Sequence, residues 1–311
     1  MPEPGECTAT LLRHADAAMY VAEEHHLVHT RFDPDQADNT ARFTLIGSMR
    51  RALDAGELVL HYQPKIDVGT GSLIGAEALA RWQHPSRGLL MPGEFIPMLE
   101  RTSLIHGFTR HVLGLALVQA RDWLDQGIRI PVAVNVSTRC LLDPQFPETV
   151  ASCLLAAGVP GELLRIEITE NTLMADPERT ADSLRRIRAL GVKAAIDDFG
   201  TGYSSMVYLK LLPVDEIKID RSFVHDLDTD LRNRVLVESA IELGHNLGLT
   251  VIAEGVEDSA SLDTLHDLGC DGAQGYHFSR PLSPADFGRW LEARPPARHR
   301  STRDHSVATV A

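Results

Sequence analysis

The stretch LVLHYQPKIDVGTGSLIGAEALARW, residues 58–82, decides how the chain is built. Two apolar segments, LVLHYQPKIDV and LIGAEALARW, flank GTGS, whose glycines let a backbone reverse within a few residues. This spacing predicts a β-hairpin. Just upstream, FTLIGSMRRALDAG (43–56) has helical periodicity and a glycine stop. Downstream the apolar runs come singly: PVAVNVS (131–137), LLRIEITE (163–170), VKAAIDD (192–198), VDEIKID (214–220), LTVIAEG (249–255) and CDGAQGY (270–276). Helical segments fill the intervals, at about 93–101, 106–126, 144–157, 176–190, 229–247, 258–268 and 284–293. Their start signals include Pro92, Asp143-Pro144, Asp176-Pro177 and Ser283-Pro284. Strands alternating with helices at this interval imply a parallel sheet with right-handed crossovers, and the number of runs favours a closed barrel over an open sheet. The hairpin puts one strand out of step with the rest.

Such a barrel takes about 250 residues as one unit, so a chain of 311 residues fits one large domain with short ends. The expected division is a helical appendage at 1–40, a barrel at 41–293, and a polar, basic, proline-bearing tail at 294–311 that is expected to be disordered. Hydrophobic residues make up 44% and charged residues 23%, which supplies a sizeable core. A net charge of -13 repels a nucleic-acid backbone, so a polymeric DNA or RNA partner is excluded. The opening MPEPGECTAT has neither a basic nor an apolar signal region, and no run approaches about 18 uncharged apolar residues. No membrane span is expected, and the cytoplasm is the default location. Cys7, Cys140, Cys153 and Cys270 are widely spaced with no C-x-x-C pair, which suits reduced structural thiols.

Each apolar run carries, near its C-terminal end, a polar residue that a buried strand does not want: Glu77, Asn135, Glu167, Asp197, Lys218, Glu254 and Gln274. In a parallel barrel the strand C-termini open on one face, so the seven become one cluster. Taken singly, each is also explained as a satisfied strand-end polar group or a helix cap. Together, their carboxylates repel in a low dielectric unless cations sit among them. Carboxylate and amide oxygens without a converging Cys or His select hard ions, Mg²⁺ or Mn²⁺, over zinc. The adjacent Asp197 and Asp198 then fit a site in which one carboxylate bridges two ions about 3.5–4 Å apart.

The segment E77-A-L-A-R81 resembles the signature of the EAL-domain family, phosphodiesterases of the bacterial second messenger cyclic di-GMP. The likeness runs in order through YQP at 62–64, N135-V-S137, E167-I-T-E170, DDFGTGYSS at 197–205, K218-I-D220, AEGVE at 253–257 and QGY at 274–276, and covers about residues 43–293. It implies an α/β fold, a modified TIM (βα)8 barrel with an antiparallel first strand, in agreement with the hairpin. It also implies a homodimer through the barrel and metal-dependent hydrolysis of cyclic di-GMP to linear pGpG.

Carried onto this sequence, the resemblance makes Glu77, Asn135, Glu167 and Asp197 ligands of one ion, and Asp197 and Asp198 ligands of a second with Glu254 nearby. Glu77, Asp197, Lys218 and Glu254 form the catalytic set, with Lys218 contacting the attacking water. Arg81 is expected on a phosphate, Gln63 on guanine, and Gln274 on water or substrate. Pro64, Asp220, Gly275 and Pro281 are expected around the nucleotide, and Glu170 with Glu257 is expected to steady the loop DFGTGYSS. Alternatives stand beside several of these roles. Arg81 also suits a rim salt bridge, Lys218 a plain counter-charge, Gly200 and Gly202 an ordinary tight turn, and Glu257 a helix start. A receptor that holds the nucleotide without cutting it is the competing function; a scaffold that binds no nucleotide leaves the polar cluster unexplained. The segment LLRHADAAMY (11–20) resembles the last helix of a GGDEF diguanylate cyclase domain; the alternative is an ordinary amphipathic helix that caps or dimerises. It is expected to be a relic or the product of a late start site.

Overall fold

The computed structural model describes residues 37–170, 172, 176–202 and 212–294. The segment 11–20, residues 203–205 of the loop, and the tail from 295 onward lie outside the described residues.

The hairpin is present. Strand β1 (Leu58–Asp67) and strand β2 (Leu73–His84) pair antiparallel, with Gln63 opposite Glu77 and Lys65 opposite Gly75. Asp67 makes the turn: its amide donates to the Ser72 carbonyl at 2.9 Å and its carboxylate accepts from the Thr70 amide at 2.6 Å. A short β3 (Gly88–Leu90) folds back on the outer end of β2. The remaining strands are β4 (Val132–Asn135), β5 (Leu164–Thr169), β6 (Lys193–Phe199), β7 (Glu216–Ile219), β8 (Thr250–Ala253) and β9 (Gly272–Ala273). They run parallel from β2 through β9, and β1 closes the ring by pairing antiparallel with both β2 and β9. The expected modified TIM barrel with one reversed strand is the observed architecture.

The helices around the ring are α1 (Ala37–Ala55), α2 (Pro92–Leu99), α3 (Leu104–Asp125), α4 (Thr138–Leu141), α5 (Phe146–Ala157), α6 (Pro177–Arg188), α7 (Arg221–Val224), α8 (Leu231–Asn246), α9 (Ser259–Asp267) and α10 (Pro284–Glu292). Start signals at three of the longer ones are literal caps. The side chains of Asp176, Asp258 and Ser283 accept from the amides of Arg179, Ser261 and Asp286. α1 begins at Ala37, six residues before the helix expected from apolar periodicity, because ADNTAR offers no apolar stripe to mark it. The single-turn α4 and α7 and the three-residue β3 are too short for any period to announce. No described helix is long and apolar enough to cross a membrane.

Strand residues facing outward meet the helices closely. On α8, a Cβ added at Gly244 would stand 2.4 Å from Val251 Cγ2, so the absent side chain lets this helix settle onto β7 and β8. At the other end of the chain α10 docks through Phe287, which is fully buried, with its ring 4.9 Å from Trp123 and 6.1 Å from Tyr62. This aromatic knot ties α10 to β1, the strand that closes the barrel. Phe287→Ala is therefore expected to lower unfolding stability by about 3–5 kcal/mol in urea melts; an unchanged midpoint contradicts the docking role.

Candidate metal and active site

Alternation along each strand sends every second side chain into the lumen. The residues so directed are Gln63 on β1, Glu77 on β2, Asn135 at the end of β4, Glu167 on β5, Asp197 on β6 and Lys218 on β7, with Glu254 and Gln274 one step past β8 and β9. All eight meet at one end of the barrel. The Lys218 ammonium lies at their centre, 3.4 Å from Glu77, 2.9 Å from Glu167, 3.0 Å from Asp197 and 2.6 Å from Glu254. Glu77 gathers the amides: its Oε1 accepts from Asn135 Nδ2 at 2.7 Å and its Oε2 from Gln274 Nε2 at 2.6 Å. Gln274 also donates to Gln63 Oε1 at 2.9 Å, and Gln63 Nε2 donates to the Ser279 carbonyl at 3.0 Å.

One ammonium does not balance four carboxylates out of water. Burial, opposed by Lys218, raises the Glu77 and Asp197 carboxyls above their ordinary values and pushes Glu254 up to about 8. Asp198 is raised too, first by burial and then by the neighbouring Asp220. Glu167 goes the other way: burial alone would raise it, but Lys218 and Lys65 outweigh that and hold it down to about 2. Lys218 stays charged, since its carboxylate neighbours overcome the burial that would lower it.

Two sets of carboxylates have oxygens within 4.8 Å of one another, Glu77 with Glu167 and Asp197, and Asp197 with Asp198 and Glu254. The donor set is all oxygen and Asp197 belongs to both triads. That chemistry fits a pair of hard divalent cations sharing one carboxylate. Asp198 reaches its place through a left-handed backbone, φ 54°, which a non-glycine residue rarely adopts; the loop after β6 holds it. Glu170 secures that loop, because its buried Oε2 accepts from the amides of Gly200 at 3.0 Å and Gly202 at 3.3 Å. Glu257 is exposed and makes no bond to residues 198–202 among the described residues.

The other expected residues divide by what holds them. Arg81 is buried, follows the same lumen parity as Glu77, and donates to the Ala80 carbonyl at 2.8 Å. Asp220 lies near Asp198, but its carboxylate caps α7 by accepting from the Ser222 amide at 3.0 Å. Pro64 faces the outer side of β1, opposite in parity to Gln63, so it shapes the strand and does not line the lumen. Gly275 is a close-approach residue: a Cβ there would stand 2.1 Å from the Val256 carbonyl oxygen. Pro281 precedes Leu282, which exchanges backbone hydrogen bonds with Tyr62 at 2.7 and 2.9 Å. Lys65, Arg165 and Glu216 are charged lumen residues that the sequence reading did not single out. Their signal was the alternation itself, since each lies two residues from a site residue on its own strand.

Comparison with known proteins agrees with this geometry. Residues 46–281 match the EAL domain family. The bifunctional diguanylate cyclase/cyclic di-GMP phosphodiesterase MucR of Pseudomonas aeruginosa is 40% identical over 92% of this chain, which spans 42% of MucR. A solved PaMucR phosphodiesterase in complex with c-di-GMP is 41% identical, with a TM-score of 0.75 over 78% of this chain and 99% of that one. The EAL enzyme Bd1971, bound to cAMP and cyclic-di-GMP, is 31% identical with a TM-score of 0.77 over 81% of this chain and 69% of that one. Together with the reversed first strand and the ordered lumen residues, the match over 46–281 establishes that this chain belongs to the EAL domain family.

Proposed function

We propose that the chain hydrolyses one phosphodiester bond of cyclic di-GMP, giving linear pGpG, with two divalent ions, Mg²⁺ or Mn²⁺. The observation that carries this reading is the pair of carboxylate triads sharing Asp197 around a buried Lys218. In it Glu77, Asn135, Glu167 and Asp197 hold one ion, and Asp197, Asp198 and Glu254 the other. Bound there, the ions neutralise phosphoryl oxygens and lower the pKa of the attacking water. Lys218 remains an ammonium and acts as a fixed donor that orients the water among the carboxylates. Gln274 and Gln63, already hydrogen-bonded to each other, present a preformed amide edge to the substrate, with guanine as the ligand of Gln63. Arg81 supplies a guanidinium suited to a phosphate. Asp220, Gly275 and Pro281 border this region, Asp220 through its cap on α7 and Gly275 by drawing the ends of β8 and β9 together. Glu170 keeps Asp198 in place by fixing the loop amides.

The proposed phosphodiesterase unit runs from about 41 to 293 and works in the cytoplasm, on the messenger the PaMucR structure holds. A homodimer through the barrel accompanies the reading. It is supported by Leu231, Val235 and Leu236, large apolar side chains more than half exposed on α8.

Incubation of the purified chain with cyclic di-GMP and Mg²⁺ or Mn²⁺ is expected to yield pGpG on chromatography; nucleotide bound tightly and returned uncut would favour the receptor function instead. Glu77→Ala removes the acceptor of Asn135 and Gln274 as well as a carboxylate of the first triad. Turnover should fall by more than about 100-fold, beyond what loss of an outer partner causes, while circular dichroism keeps the barrel signal. Chelation by EDTA is expected to abolish activity and added Mn²⁺ to restore it; activity that persists in EDTA would falsify the metal requirement.

A further inference from the structure

Beneath the carboxylate cage the lumen carries a second set of charges. Lys65, Glu216 and Glu167 are almost fully buried, at 1%, 0% and 0% exposed. The Lys65 ammonium donates to Glu167 Oε1 at 2.5 Å and to Glu216 Oε1 at 3.1 Å. Arg165 takes the other oxygen of Glu216. The opposite oxygen of Glu167, Oε2, faces Lys218 at 2.9 Å and Asn135 Nδ2 at 3.5 Å. The result is a continuous alternating chain across the barrel: Arg165, Glu216, Lys65, Glu167, Lys218.

Strand register makes room for it. Glu167, Ala195 and Glu216 stand abreast on β5, β6 and β7, so a single methyl separates the two glutamates and Lys65 reaches both from β1. Gly75 stands opposite Lys65 on β2 and adds no side chain beside the lysine stem. Burying three further charges contributes little stability by itself, because apolar groups of the same volume fill such a space at least as well. What the arrangement does provide is orientation. A carboxylate held at both oxygens cannot spin about its terminal bond, and a metal ligand fixed by an outer partner presents one defined lone pair.

We propose that Lys65 is a positioning residue for Glu167: anchored by Glu216 and Arg165, its ammonium holds Oε1 and leaves Oε2 aimed into the metal cage. This rests on the metal reading above and deepens it. The alternative is that Lys65 is only a counter-charge, and the two roles differ in sign. Removing a positive charge beside a cation site strengthens cation binding by Coulomb attraction alone, whereas removing the brace weakens it.

The test uses the metal-stripped chain titrated with Mn²⁺ alone, with free ion read by electron paramagnetic resonance. Lys65→Met is expected to weaken Mn²⁺ binding by about 10–100-fold, the range for loss of an outer partner of a metal ligand. Ile252→Val, which trims a buried apolar lumen residue on β8, should loosen the fold without moving the affinity. If Lys65→Met does not fold, Arg165→Met removes the cation that anchors Glu216, and through it Lys65; loss of the brace should weaken Mn²⁺ binding, whereas loss of positive charge alone would tighten it. Unchanged or tighter binding in the folded variants overturns the positioning role while the metal reading stands. A wild-type chain that takes up no Mn²⁺ sinks both.

Discussion

The Lys218 ammonium lies within 3.4 Å of Glu77, Glu167, Asp197 and Glu254, inside a ring of strands from which bulk water is largely excluded. A single positive charge against four negative ones, with Asp198 adjoining them, leaves an excess that a protein interior tolerates poorly. The interior answers in two ways visible in the structure. Burial raises several of the carboxyls toward the protonated form, and a second cation, Lys65, braces Glu167 from below. Divalent ions held there would complete the balance and would give a reason for so many oxygens to be brought to one place. Stability alone gives no reason to assemble this set.

The barrel is what makes the assembly possible. The strands deliver lumen side chains at the same end, and β1, reversed, delivers Gln63 to the same cage and Lys65 beneath it from the opposite chain direction. Closure depends on that strand, which pairs antiparallel with β2 and β9 and is tied to α10 through Tyr62, Trp123 and Phe287. Folding of α10 and integrity of the site are therefore linked through one strand.

Much of this was legible in the sequence because it is periodic. The hairpin was readable from two apolar runs around GTGS, and Glu77, Asn135, Glu167, Asp197, Lys218, Glu254 and Gln274 stood out because each interrupts an apolar run. Less was legible where the signal is short or depends on partners across the barrel. The single turns α4 and α7 fall below any helical period. Pro64 shares a motif with Gln63 yet faces the other way, which only strand parity reveals. The left-handed backbone at Asp198 and the grip of Glu170 on Gly200 and Gly202 are tertiary facts. Lys65, Arg165 and Glu216 resemble ordinary strand charges one by one, and acquire meaning only when the ring brings three distant strands abreast.

Paired cations would hold the carboxylates together. Crystals grown with Mn²⁺ and measured for anomalous scattering test this most directly. Two ordered peaks, with Asp197 in reach of both and Glu167 offering the oxygen that Lys65 does not hold, are the predicted result. A lumen with no bound ion at saturating Mn²⁺, and the four carboxylates still gathered on Lys218, would contradict it.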